Sequence, residues 1–549
     1  MRRLEFYVDQ WLSDEEFYEL LKIARYLGRE PGKGSRFVLD IDRVIKNGLD
    51  VDDVVSILNK YDVELEPEEL EYLEDLLAKS RVRVVVKKYG DEFILEPQGY
   101  LGELIDDLKH ALVYDRERKV FKIKPMYLFE VIDVLSKRGV KVENQTGLSP
   151  YLELPIKLKF LGTLRDYQQE ALRAWALNKY RGVVALPTGS GKTVIAIAAM
   201  ALVNVRTLIV AFTKEQMFQW AEQIRKFTHA PKNLIGFYYS EDKRIAPITI
   251  TTYQSAYRHI TKLSPYFSLL IVDEVHHLPA DKFRFIATNS VAPMRMGLSA
   301  TVVREDGRHK ELFPLMGGVV YSKSPSELTA QGYLAPFRII TIKVDLKPDE
   351  RKRYRELLSA YRSIVGYTSF EEVLRAAKMG DEMAIKAVKI HNELRQLVHN
   401  SQSKFGAVKR IVEEELKRGS KIIVFTQYVE QAHKLGEYLG ANVITGEINE
   451  EVRRRRLQQF RKGLSRVLVV TTVGDEGLDI PDANVGVIVT GTGSRRQFIQ
   501  RLGRLLRPAP GKEARLYEVV VRNTFEEIES RRRKQLLKTS FEEGSINPS

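Results

Sequence analysis

An apolar run at residues 182–186 leads into Pro187-Thr188-Gly189-Ser190-Gly191-Lys192-Thr193 and then into a helix-forming stretch, and no other feature constrains the fold of this chain so tightly. A strand that ends in a glycine-rich turn and opens a helix presents successive backbone N–H groups at a helix N-terminus, where phosphate oxygens are stabilised. In that arrangement Lys192 neutralises the outer phosphates of ATP, and the Thr193 hydroxyl is placed to hold Mg2+. Leu186 departs from the usual pattern, which starts with a small residue. Such a unit belongs in a parallel sheet with crossover helices, and the chain supplies the other strands. Apolar runs at 208–212, 248–252 and 269–273 form one series, and runs at 422–425, 467–472 and 485–490 form a second. The expected fold class is therefore α/β, with two parallel-sheet lobes.

Two further motifs carry chemistry. Asp273-Glu274-Val275-His276 ends the apolar strand Leu269-Leu270-Ile271-Val272, which places carboxylates at a strand's C-terminal end beside the phosphate loop. Asp273 is the candidate metal ligand with Thr193, and Glu274 the candidate base for an attacking water. Gln500-Arg501-Leu502-Gly503-Arg504-Leu505-Leu506-Arg507 follows the second strand series. Its Arg504 and Arg507, three residues apart on one helical face, suit the stabilisation of transferring phosphate charge, with Gln500 beside them.

These motifs, in this order over about residues 160–525, resemble those of superfamily 2 helicases. The resemblance implies two RecA-like lobes. It makes Arg165-Asp166-Tyr167-Gln168 the adenine-reading motif, with Arg165 and Gln168 as nucleotide ligands. Phe212-Thr213-Lys214 to Gln219-Trp220 and Thr251-Thr252-Tyr253 resemble strand-tracking motifs, which assigns Thr213 and Thr252 to DNA. Ser299-Ala300-Thr301 resembles the element that couples the ATP site to the DNA site. In the second lobe Thr445-Gly446, Thr471-Thr472 with Gly474, and Gly477-Leu478-Asp479 resemble phosphate-holding and nucleotide-sensing motifs. Thr445 and Thr472 are thus DNA candidates, and Gly477 and Asp479 nucleotide candidates. Within the superfamily, Gly297 through Gly307, with Arg304-Glu305-Asp306, resembles the XPB family, in which that triplet acts near the point of strand separation. The resemblance implies a 3′-5′ DNA helicase or double-stranded DNA translocase in nucleotide excision repair and DNA opening, with a nuclease or a repair or transcription complex as partner. The rival readings are a nucleotide-gated DNA clamp and a remodeller-like translocase that does not separate strands.

Charge agrees with a polyanionic track. The net charge is +14, yet residues 1–80 hold 11 Lys/Arg against 20 Asp/Glu, so the basic excess lies beyond them. The expected organisation is an acidic α+β module at 1–80, an α+β domain at 81–160, and lobes at 161–335 and 336–549, the second with a helical insertion at about 347–398. The XPB resemblance implies that 81–160 is a damage-recognition-like domain and that the helical insertion is a thumb. Within 1–160 the pattern suggests two tandem α-β-α-β modules, including a strand at 63–65 and a helix at 104–112. There are no cysteines, which excludes disulfides, thiolate zinc sites and cysteine-held iron–sulfur clusters. The longest apolar stretch, 194–203, is too short to span a bilayer, and the start of the chain has no continuous apolar region of the kind a secretion signal needs. A cytoplasmic, nucleoid-associated setting is expected, or a nuclear one in a eukaryote.

Overall fold

The computed structural model describes residues 4–80, 83–98, 101–300, 308–366, 369–471, 483–490 and 513–531. Arg304, Glu305, Asp306, Thr472, Gly477, Asp479, Gln500, Arg504 and Arg507 lie outside the described residues. The chain divides into two compact units: Met1–Glu153 with Tyr257–Leu270 and Arg284–Met294, and Leu154–Ala256 with Ile271–Phe283 and Arg295–Ser549.

The chain opens with β1 (Glu5–Val8), α1 (Asp14–Leu21), β2 (Ala24–Glu30), β3 (Gly34–Leu39), α2 (Ile41–Lys46), α3 (Val51–Asn59) and α4 (Pro67–Ser80). Its strands form an antiparallel sheet in the order β1-β3-β2, packed through Phe6, Leu20, Phe37, Val54 and Leu73. The strand expected at 63–65 does not form. Asp62 adopts a left-handed φ of 55°, and the Val63 N–H turns back to the Leu58 carbonyl at 3.2 Å, which ends α3. Next come β4 (Arg83–Tyr89), β5 (Glu92–Gln98), β6 (Leu112–Asp115), β7 (Val120–Ile123), α5 (Leu128–Lys137) and β8 (Lys141–Asn144). They make a five-stranded sheet ordered β6-β7-β5-β4-β8, antiparallel except for β4 with β8. The helix expected at 104–112 is a 3-10 segment, Gly102–Leu108, and Leu112 already opens a strand. The two sheets differ in strand number and pairing, so no tandem duplication exists.

Residues 154–330 contain α6 (Asp166–Leu177), β9 (Arg181–Ala185), α7 (Lys192–Val203), β10 (Thr207–Ala211), α8 (Lys214–Phe227), β11 (Ile235–Tyr238), β12 (Ile248–Thr252), α9 (Tyr253–Leu263), β13 (Leu269–Val272), α10 (Asp281–Thr288), β14 (Met294–Ser299), α11 (Leu312–Met316), β15 (Val319–Ser322) and α12 (Pro325–Ala330). The seven strands lie in the order β11-β12-β10-β13-β14-β9-β15. After them run β16 (Phe337–Val344), α13 (Pro348–Val365), α14 (Phe370–Lys378), α15 (Glu382–His399), α16 (Gln402–Lys417), β17 (Ile422–Thr426), α17 (Val429–Leu439), β18 (Asn442–Ile444), α18 (Glu450–Arg461), β19 (Val467–Thr471), β20 (Val485–Ile488) and β21 (Ala514–Val521). These six strands pair in parallel as β16-β21-β20-β17-β19-β18.

The two parallel sheets are the expected RecA-like lobes, and their central strands are buried from end to end, as strands covered by helices on both faces are. The inserted helices α13 to α15 pack on one another through Val365, Val373, Ala384 and Ala387. Parallel strands put all their C-terminal ends on one edge, and that edge carries the chemistry in open α/β sheets. Among the described residues no helix is long and apolar enough to cross a membrane.

Candidate nucleotide and nucleic-acid site

The phosphate loop joins β9 to α7, and its shape depends on glycine at the helix start. Gly191 caps α7 with a left-handed φ of 81°, and a β-carbon there would stand 2.5 Å from Gln168 Nε2. Inside the loop, Ser190 Oγ donates to the Pro187 carbonyl at 2.7 Å. Lys192 folds back over the loop, its Nζ donating to the carbonyls of Leu186 at 2.8 Å and Pro187 at 3.1 Å. Thr193, half-buried, is the second residue of α7. The adenine-motif residues sit against the same loop. Tyr167 Oη and Gln168 Nε2 both donate to the Ser190 carbonyl, at 2.6 and 2.9 Å, and Gln168 Oε1 accepts the Arg165 N–H at 2.9 Å.

Asp273 follows β13, two strands from β9 in the sheet. Its carboxylate accepts the Trp220 indole N–H at 2.9 Å and the Glu274 backbone N–H at 2.9 Å. Glu274 holds a left-handed φ of 46°, a conformation that costs a β-carbon residue about 1–3 kcal/mol. Tyr253 helps to hold it, because its hydroxyl donates to the carbonyls of Asp273 at 2.9 Å and Glu274 at 3.1 Å. His276, fully buried, shares a 2.8 Å hydrogen bond between Nδ1 and Ser299 Oγ, and the same Nδ1 lies 3.4 Å from Glu274 Oε2. Ser299 ends β14, and its carbonyl accepts the Leu186 N–H at 3.0 Å. Ser299 therefore touches both the phosphate loop and the acidic motif.

Burial dominates the electrostatics. It pushes the Lys192 ammonium down, against Glu274 and Asp273, which favour its charged form. It pushes the Asp273 carboxyl up, against the Trp220 hydrogen bond, Lys192 and the Glu274 N–H. For Mg2+ the donor set fits. A carboxylate and a hydroxyl are hard oxygen ligands, and each Asp273 oxygen accepts a single N–H bond and keeps a lone pair.

The strand-tracking candidates lie at the same edge. Ala211 and Thr252 are register partners at the ends of β10 and β12. Thr213 caps α8, its hydroxyl accepting the Gln216 N–H at 3.3 Å, and the buried Thr252 hydroxyl accepts the Ser255 N–H at 3.3 Å. In the second lobe, buried threonines stand at or just past the ends of four adjacent strands: Thr490 on β20, Thr426 on β17, Thr471 on β19 and Thr445 on β18. Thr426 and Thr490 share Gln431 Oε1. The hydroxyls of Thr471 and Thr445 are buried and have no hydrogen-bond partner among the described residues.

Comparison with known proteins agrees with this geometry. The family described as "Type III restriction enzyme, res subunit" matches residues 161–304, and "ERCC3/RAD25/XPB C-terminal helicase" matches residues 377–541. A protein of Sulfurisphaera tokodaii named DNA 3'-5' translocase XPB2 is 40% identical over 441 residues, covering 79% of this chain and 98% of its own length. The chain belongs to the XPB family. Another XPB relative, from Kineococcus radiotolerans and named DNA 3'-5' helicase XPB, is 35% identical and covers 74% of this chain and 68% of its own length. The XPB subunit of general transcription and DNA repair factor IIH from Antonospora locustae is 27% identical over 534 residues, covering 89% of this chain and 72% of itself. The chain is thus an XPB-type helicase.

Several contributors to this XPB site escape sequence reading. Trp220 and Tyr253 fall within motifs read as strand-tracking, yet their polar atoms serve the Asp273-Glu274 turn. Tyr333, 168 residues from Arg165, lies in a segment that resembles the XPB family, but its contact with the Arg165–Gln168 motif is not announced by spacing. Thr426 and Thr490 carried a signal that went unread, a hydroxyl at or just past the end of each apolar strand.

Proposed function

We propose that this XPB-family chain is an ATP-driven 3′-5′ motor on DNA that opens or tracks the duplex. The observation that carries this reading is the junction at Ser299, which joins the phosphate loop through its carbonyl and the acidic motif through its hydroxyl. Lys192 and Asp273 are half-buried and each is pulled towards neutrality, so an arriving phosphate beside one and a cation beside the other would restore both charges. The backbone N–H groups of residues 188–193, in the loop that Pro187 opens, and the Lys192 ammonium bind the phosphates of ATP, and Arg165 and Gln168 bind the base. Asp273 and Thr193 would hold Mg2+, which supplies charge neutralisation between the outer phosphates.

Glu274 takes a proton from the attacking water as its oxygen bonds to the γ-phosphorus. The bond to the bridging oxygen breaks, and the electron pair leaves with ADP. Gln500, Arg504 and Arg507 stabilise the transferring charge from the second lobe, where Gly477 and Asp479 contact nucleotide. Thr213 and Thr252 on the first lobe, with Thr445 and Thr472 on the second, hold the DNA backbone, a grip with little dependence on base sequence. Arg304, Glu305 and Asp306 act at strand separation.

Four separate sheets support the division into 1–80, 81–160, 161–335 and 336–549. A nuclease, or a repair or transcription complex, is the partner class that fits an XPB-type motor.

The test is ATP hydrolysis by wild type, Lys192→Ala and Glu274→Gln with no nucleic acid, single-stranded DNA, duplex, forked DNA and RNA. Hydrolysis stimulated by DNA and abolished in both variants supports the motor. Activity that survives both substitutions removes the active-site assignment, and stimulation by RNA alone removes the track. Indifference to every nucleic acid favours a clamp.

A further inference from the structure

Tyr333 lies just past α12, held there because its N–H and that of Leu334 both close on the Leu328 carbonyl, at 2.8 and 3.2 Å. From that position it touches three consecutive residues of the adenine motif. Its hydroxyl donates to Asp166 Oδ2 at 3.1 Å, and its carbonyl accepts Arg165 Nη1 at 3.2 Å. The Arg165 guanidinium lies 5.6 Å from its ring centroid, and the Tyr167 ring is 4.8 Å away. Tyr167 and Gln168 in turn both grip the Ser190 carbonyl of the phosphate loop.

Base choice depends on Gln168. Its carboxamide oxygen spends one acceptor site on the Arg165 N–H and its nitrogen donates to Ser190 and towards the Tyr167 hydroxyl, leaving one acceptor site. That acceptor matches the N6 donor of adenine, whereas guanine offers an acceptor at the same place. The amide keeps this orientation only while Arg165 and Tyr167 stay in place.

We propose that Tyr333 is a positioning residue for base selectivity, holding Arg165 and the start of α6 so that the pocket admits adenine and rejects guanine. This rests on the nucleotide site described above.

The test is steady-state hydrolysis of ATP and GTP by the full chain with saturating DNA. Tyr333→Leu removes the ring and the hydroxyl, and it should raise the KM for ATP roughly tenfold with kcat within about twofold, while narrowing the ATP-over-GTP preference. Tyr333→Phe keeps the ring and should stay within about twofold of wild type. Tyr321→Phe is the control, because the Tyr321 hydroxyl binds Glu170 further along the same helix, at 2.6 Å, and it should leave KM unchanged. Tyr333→Met, which keeps apolar bulk but neither ring nor hydroxyl, should reproduce the Tyr333→Leu pattern, and it carries the test if the leucine variant does not fold.

An unchanged KM and selectivity in Tyr333→Leu, or an equal rise in Tyr321→Phe, overturns the proposal. In either case Lys192-dependent hydrolysis by wild type leaves the nucleotide site standing. Wild-type hydrolysis that does not depend on Lys192 overturns the site itself.

Discussion

Replacing Ser299 with alanine isolates the coupling between nucleotide and DNA. The substitution removes one hydroxyl and leaves the backbone bond from Leu186 to the Ser299 carbonyl in place, so the phosphate loop keeps its seat. What disappears is the 2.8 Å hydrogen bond to His276 Nδ1, between two fully buried groups. A buried side-chain hydrogen bond contributes about 1–2 kcal/mol net, which corresponds to roughly a fivefold to thirtyfold change in any step that depends on it. DNA-stimulated ATP hydrolysis should stay within about threefold of wild type, since Lys192, Asp273 and Glu274 are untouched. Unwinding of a forked duplex should fall by roughly fivefold to thirtyfold, so that more ATP is consumed per base pair opened. Both quantities are measured on one preparation, phosphate release against displacement of a labelled strand. The double variant with His276→Ala should be no worse than His276→Ala alone, because both remove the same bond. An equal fall in hydrolysis and unwinding, or additive losses in the double variant, would refute the coupling argument.

Two further predictions concern the second lobe. Lys404 is buried, its Nζ donating to the Val489 carbonyl at 2.8 Å and to Glu526 Oε1 at 2.5 Å. Lys404→Met should cost about 3–5 kcal/mol in urea unfolding by stranding the Glu526 carboxylate, and adding Glu526→Gln should recover most of that; no recovery would mean that the methionine fails by packing. Glu415 accepts Arg515 Nη2 at 2.8 Å, Tyr517 Oη at 2.7 Å and Ser420 Oγ at 2.9 Å. Burial pushes its carboxyl up, but these bonds win and hold it at about 2, below the ordinary 4.5. Its contribution is therefore complete above the unfolded value and is lost as pH falls through about 2. The contribution is roughly 2 kcal/mol once screening at the partly exposed Arg515 is allowed for. Melting temperatures taken from neutral pH downwards should fall less steeply in Glu415→Gln than in wild type, and parallel curves would count against the assignment.

The lobes were legible because their central strands are buried on both faces, so Val183-Val184-Ala185 and Leu269-Leu270-Ile271-Val272 stand out as unbroken apolar runs. Strands at sheet edges do not stand out in this way. β15 reads Val-Val-Tyr-Ser with none of its residues fully buried, and β18 is only Asn442–Ile444, so both passed unnoticed. The hairpin of β4 and β5 escaped for a different reason. Its turn at Gly90-Asp91, with φ 58° at Gly90, separates two apolar triplets, Val84-Val85-Val86 and Phe93-Ile94-Leu95, and that turn signal was present to be read.

The site divides along the same physical line. Backbone chemistry is local, so a glycine-rich turn between strand and helix announces a phosphate loop wherever it occurs. Side-chain support is not local: Trp220 reaches Asp273 across 53 residues, and Tyr253 reaches it across 20. Each donor lies on a helix that crosses from one strand to another, so its target depends on strand order, which no window of sequence contains. Burial at that edge leaves Lys192 and Asp273 each drawn towards neutrality, with Glu274 held left-handed beside them. On the proposed reading the phosphate loop binds the nucleotide and the aromatic-braced acidic turn lets the same edge respond to it, because Ser299 and His276 tie that turn to the end of β14.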